Sequence, residues 1–117
     1  KLVHYGCHPT TLAWENTLIS PDYVGEMRET VEKFTSVPCI FIQGACGDLG
    51  PNYGFVGDIE VADKNGRSLG FSAMSIFETM AAPGKDYHYI GPVVSGATLG
   101  IWEYFPQDTL RLKKTTI

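Results

Sequence analysis

An α/β fold is predicted for this chain: a mixed β-sheet layer with flanking helices in the order β-α-β-α-β-β, read as a fragment of a larger catalytic domain. Two observations carry the prediction. A capped stretch of helical periodicity, Ser20 to Thr35, lies between two apolar strand-like runs, "LVHYGC" and "PCIFIQ". A second, longer helical pattern then precedes two more strand-like runs. A strand–helix–strand succession favours parallel neighbours joined by a right-handed crossover. The 117 residues are read as one domain, and 44% hydrophobic residues with 13 Gly and 7 Pro describe a folded, loop-rich chain.

Taken in order, Leu2 to Cys7 reads as a short strand that delivers His8 at its carboxyl end. After a polar loop, Ser20 is the expected helix N-cap, Pro21 the first helical residue and Asp22 a favourable charge in the first turn. Val24, Met27, Val31 and Phe34 fall on one helix face and form the expected buried stripe. Pro38 to Gln43 has the unbroken apolar character of a strand buried on both faces, and Cys39 within it reads as a small buried hydrophobe. Glycines at 44, 47, 50, 54 and 57 then mark tight turns or close backbone approach.

Ile59 to Met80 predicts the second helix, with Val61, Leu69, Ala73, Ile76, Phe77 and Met80 turned inward. Gly66 and Gly70 either weaken that helix or mark close packing against a neighbour. Beyond the "APGKD" turn, "YHYIGPVVSGATLGIWEYF" and "TLRLKKTTI" read as strands.

The net charge of −4 and the lack of a Lys/Arg cluster exclude a phosphate-binding face, so no nucleic-acid partner is expected. The basic run Arg111 to Lys114 reads as a solvated face. No apolar run reaches the roughly 18 residues of a membrane span, so no transmembrane segment is expected. The sequence opens at Lys1 within a strand pattern and without Met, and the expectation is an excised piece whose first partner is the rest of its parent chain. Three cysteines at unrelated spacings, Cys7, Cys39 and Cys46, favour neither a disulfide framework nor a CxxC zinc site.

In a βαβ unit, ligands gather beyond the carboxyl ends of the strands. His8 ends the first strand and the loop Gly44 to Asn52 follows the second, so parallel pairing brings both to one edge. His8 has two readings, a packed structural imidazole or a ligand. Pro9 holds its backbone extended, and Thr10 and Thr11 offer hydroxyls to the loop or to the second ring nitrogen. Cys46 is either an inert loop thiol or a nucleophile paired with His8. Asp48 either caps a turn or orients a histidine or a water. The glycine loop lacks the Lys-Ser/Thr of a phosphate loop and the spacing of a dinucleotide fingerprint.

"CHPTTLAWENTLISPDYVG" followed by "QGACGDLGPN" resembles the neutral, or alkaline non-lysosomal, ceramidases. His8, Pro9, Thr10, Asn16, Asp22 and Gly25 match a first signature of that family; Gly47, Asp48, Pro51 and Asn52 match most of a second. Arg67 and Gly70 match the helix that follows, and the likeness spans roughly Leu2 to Ala82. It implies a zinc-dependent amide hydrolase acting on an N-acyl lipid or related small amide in sphingolipid metabolism, secreted or at the cell surface. His8 would be a zinc ligand, with the other ligands supplied elsewhere in the parent, since a catalytic zinc takes three protein ligands. The loop residues Asp48, Asn52 and Cys46 are the candidate catalytic groups. Where the family has a serine before Pro-Asn, this chain has Gly50. Three alternatives follow: zinc-activated water alone, a different amide or ester, or a non-catalytic module that retains the fold.

Overall fold

The computed structural model describes residues 1–93 and 100–106. The strand expected over "TLRLKKTTI", with its basic run, lies outside the described residues, as do residues 94–99 of the preceding stretch. The chain forms two compact units, Lys1–Glu78 and a second that begins at Thr79. The first contains β1 (Leu2–Tyr5), a 3-10 turn (Ala13–Glu15), α1 (Tyr23–Thr35), β2 (Ile40–Gln43) and all but the last residue of α2 (Ile59–Thr79). The second contains β3 (Lys85–Pro92) and β4 (Gly100–Pro106). The described elements follow the order β-α-β-α-β-β, but the stretch expected as one strand over Tyr87 to Phe105 is divided between β3 and β4, and the strands form two two-stranded sheets rather than one layer.

Strands β1 and β2 pair in parallel, from Leu2 opposite Ile40 to Tyr5 opposite Gln43. Val3 and Phe41 lie side by side on the face that meets the helices. There Val3, Met27, Val31, Cys39 and Ala73 form the buried core, with Leu69 and Phe77 packed against it. The opposite face carries Leu2, Ile40 and Ile42, all exposed, which corrects the expectation of a β2 buried on both sides. Cys39 is buried, as its apolar surroundings require.

Helix α1 begins later than a cap at Ser20 would have it. Asp22 is the N-cap, at φ 54°: its Oδ1 accepts the Tyr23 N–H at 2.7 Å and its Oδ2 accepts the Leu12 N–H at 2.9 Å. Ser20 instead accepts the Asp22 N–H at 3.0 Å, fixing the turn that presents this carboxylate. A buried carboxylate that takes two backbone donors is the stronger cap.

The two helices meet at a glycine seam. A Cβ at Gly66 would lie 2.5 Å from the Tyr23 carbonyl oxygen, and one at Gly70 would lie 2.8 Å from Thr30 Cβ. Close approach here puts small residues on the buried stripe of α2, Ala62, Gly66, Gly70 and Ala73, which meets Tyr23, Met27, Thr30 and Val31 on α1. Phe34, Ile76 and Met80, expected inside, are each 60% exposed. Phe34 instead meets Phe71 edge-to-face, with ring centroids 5.8 Å apart.

In the second unit β3 and β4 form an antiparallel hairpin with a bulge between Tyr89 and Gly91. Tyr87, Tyr89, Trp102 and Tyr104 share one of its faces, and the Tyr87 ring stacks on Trp102 at 5.5 Å. Among the described residues no helix is long and apolar enough to cross a membrane.

Candidate functional site

Because β1 and β2 run parallel, their carboxyl ends open on the same edge, and two glycines let those ends close together. A Cβ on Gly6 would lie 2.5 Å from the Ala45 carbonyl oxygen, and one on Gly44 would lie 2.9 Å from His4 Nε2. The Gly44 N–H donates to Tyr5 O at 2.9 Å as the last rung of the ladder. From there the His-Pro-Thr segment keeps company with the glycine loop. The His8 N–H donates to Leu49 O at 2.8 Å, the Leu49 N–H donates to Cys46 O at 2.8 Å, and the Phe55 N–H donates to Thr10 O at 3.1 Å.

This backbone pairing sets His8 beside Cys46. The His8 ring is exposed to solvent, and the Cys46 sulfur stands 3.7 Å from both Nδ1 and Nε2. Gln43, the last residue of β2, holds the sulfur from the other side. Its Nε2 donates to Cys46 Sγ at 3.0 Å and to the Cys7 carbonyl at 2.9 Å. The Tyr23 hydroxyl donates to the same carbonyl, so α1 also anchors the segment that carries His8. Burial pushes the thiols of Cys7 and Cys39 up from their ordinary range, and it pushes the Tyr23 hydroxyl up as well. Cys46, half-buried at the rim, is the thiol that solvent reaches.

The other loop residues lie apart from this pair. Asp48 is exposed on the turn, and its carboxylate has no hydrogen bond or ion pair among the described residues. Asn52 lines a cavity of about 450 Å³ between β1 and α2, with Val3, Leu69, Ala73 and Ile76 as its apolar wall and Asn65 and Ser68 as polar points. Cys7 and Pro51 line the same cavity, so it abuts the rim. Neither threonine hydroxyl serves the His8 ring. Thr11 Oγ1 accepts from Asn65 Nδ2 at 3.3 Å, and Thr10 Oγ1 is buried without a hydrogen-bond partner among the described residues. Asn16 organises the loop: its Nδ2 donates to Gly57 O at 2.9 Å and its Oδ1 accepts the Leu18 N–H at 2.8 Å.

Gln43 is a rim residue that the sequence alone does not single out. Its signal was a lone polar side chain closing an apolar strand directly before the glycine loop.

Of the donors a catalytic zinc requires, the rim brings together an imidazole and a thiol, both of the right chemistry. No group of three or more His, Cys, Asp or Glu side chains converges among the described residues. Two donors fall short of the three needed, so these residues do not by themselves fit the metal.

No protein family, no curated protein and no solved structure matches the chain.

Proposed function

We propose that this chain carries the reacting edge of an amide hydrolase, with His8 as the working imidazole and an N-acyl lipid or related amide as substrate. The observation that supports it is the shared rim: His8 leaves β1, the Gly44–Asn52 loop leaves β2, and a 2.8 Å hydrogen bond from His8 N–H to Leu49 O joins them. The adjoining cavity, about 450 Å³ with an apolar wall, is of the size that small-molecule sites have and suits an acyl group beside a polar reacting end. The likeness of the two signatures to the ceramidases favours an amide over other acyl compounds. On that likeness His8 would be one ligand of a zinc whose remaining ligands come from residues outside this rim.

The test is hydrolysis of a fluorescent N-acyl sphingoid amide by the wild-type protein and by His8→Ala, each with added zinc and with chelator. Turnover is expected to fall by about 10²-fold or more in the variant. Equal turnover by the two proteins overturns the reading.

A further inference from the structure

We infer that Cys46 is the nucleophile of this rim, attacking an acyl carbonyl with His8 as its proton carrier rather than as a metal ligand; the inference rests on reading the rim as hydrolytic. Three observations converge on the sulfur. It lies 3.7 Å from both ring nitrogens of His8, close enough for either to face it after a small rotation of the ring. A side-chain amide, Gln43 Nε2, fixes its position at 3.0 Å and is itself pinned to the Cys7 carbonyl at 2.9 Å. The ring makes no other hydrogen bond among the described residues, and it stands in solvent where a substrate arrives. A nucleophile held in place by Gln43 and an imidazole beside it are parts of covalent acyl transfer, and such contacts are commonly long before substrate binds.

The sequence of events balances without a further reagent. The Cys46 proton passes to a His8 ring nitrogen, and the sulfur bonds to the carbonyl carbon while the carbonyl π pair moves onto oxygen. As that pair returns, the C–N bond breaks, and the departing amine takes the proton from His8. Water then attacks the thioester as His8 removes its proton. The C–S bond breaks, the proton returns to sulfur, and a carboxylic acid leaves. Gly50 stands where the resembling family has a hydroxyl, and this route needs none there.

Acylation with p-nitrophenyl acetate, read by peptide mass mapping of the intact protein, tests the inference. One acetyl group is expected on Cys46, with Cys7 and Cys39 unmodified because both are buried. The rate should drop by about tenfold or more in His8→Ala and by a smaller factor in Gln43→Ala. Circular dichroism establishes that each variant is folded. Acetylation elsewhere, or equal acetylation rates in wild type and His8→Ala, overturns the inference. Amide turnover that survives Cys46→Ala but falls in His8→Ala also overturns it while leaving the hydrolase reading standing. His8-dependent acetyl-Cys46 in a protein that turns over no amide upholds the thiol chemistry and removes the amide substrate.

Discussion

Gly50 marks where two missing atoms, a Cβ and its hydroxyl oxygen, change what the rim is made of. Its φ is not positive, so a side chain there meets no backbone strain. A Cβ would touch only Thr10 Oγ1, at 3.8 Å, which is ordinary contact. That same Thr10 oxygen is buried and unpartnered among the described residues. A buried hydroxyl without a partner is costly, and a new hydrogen bond contributes about 0.5–1.5 kcal/mol. Gly50→Ser places a hydroxyl one bond beyond this Cβ, within reach of the orphaned oxygen. It also removes backbone freedom from the unfolded chain, worth about 0.4–1 kcal/mol. Thermal unfolding is therefore expected to shift upward by several degrees in Gly50→Ser. Gly50→Ala, which lacks the hydroxyl, should capture only the smaller entropic part. A serine variant that melts below wild type removes this account of Thr10.

At the scale of elements, the seam between α1 and α2 decides which faces are buried. Alanine is the better helix former by about 1 kcal/mol, so helix propensity alone predicts that Gly66→Ala stabilises α2. Packing predicts the reverse. The new methyl would lie 2.5 Å from a backbone carbonyl oxygen of α1, and overpacking of this kind costs about 1–3 kcal/mol. We expect packing to win at Gly66, with a lower midpoint in urea unfolding. Gly70→Ala should cost less, because its closest contact, 2.8 Å, is with the Thr30 side chain and the nearest backbone atom, Met27 O, lies at 3.2 Å against 2.5 Å at Gly66. A stabilised Gly66→Ala would show that the helices separate freely. This seam also explains what was legible beforehand. Periodicity is a local property, and it predicts β1, β2 and both helices; the run Tyr87 to Phe105, which reads as a single strand, instead contributes to both β3 and β4. A glycine in a helical pattern has two meanings, defect or contact, and only the partner helix decides between them. Periodicity alone therefore places Phe34 in the core, while the seam turns it outward. The meeting of His8 with the loop was legible for a similar reason: parallel strands must open on one edge. The bridge from Gln43 to Cys46 was not, because it depends on side-chain directions across a turn whose shape glycine leaves free.

For the whole molecule, proton linkage sets the pH range in which the first unit is stable. Glu32 accepts the Cys39 N–H at 2.8 Å and pairs with Arg28 at 3.3 Å, and these donors, the Cys39 N–H foremost, hold its carboxyl below the usual carboxylate range. A depressed carboxyl binds its proton more weakly in the fold than in the unfolded chain. Its contribution is thus present above the ordinary carboxylate value and is lost as pH falls through the folded one. The buried groups act at the other end. Burial raises Cys7, Cys39 and Tyr23, so the unfolded chain releases protons that the fold retains. Their stabilisation is complete below the ordinary thiol value and declines as pH rises past about 8.5. Melting temperature against pH should therefore show a plateau near neutrality with a limb on either side. In Glu32→Gln the plateau should drop, because the Cys39 N–H loses a charged acceptor, while the acid limb flattens. In Cys39→Ala the plateau drops through lost packing and the alkaline limb flattens. The two limbs have different owners, so exchanging the variants is the control: an alkaline limb that keeps its full slope in Cys39→Ala, Cys7→Ala and their double variant would show that the buried thiols do not govern it.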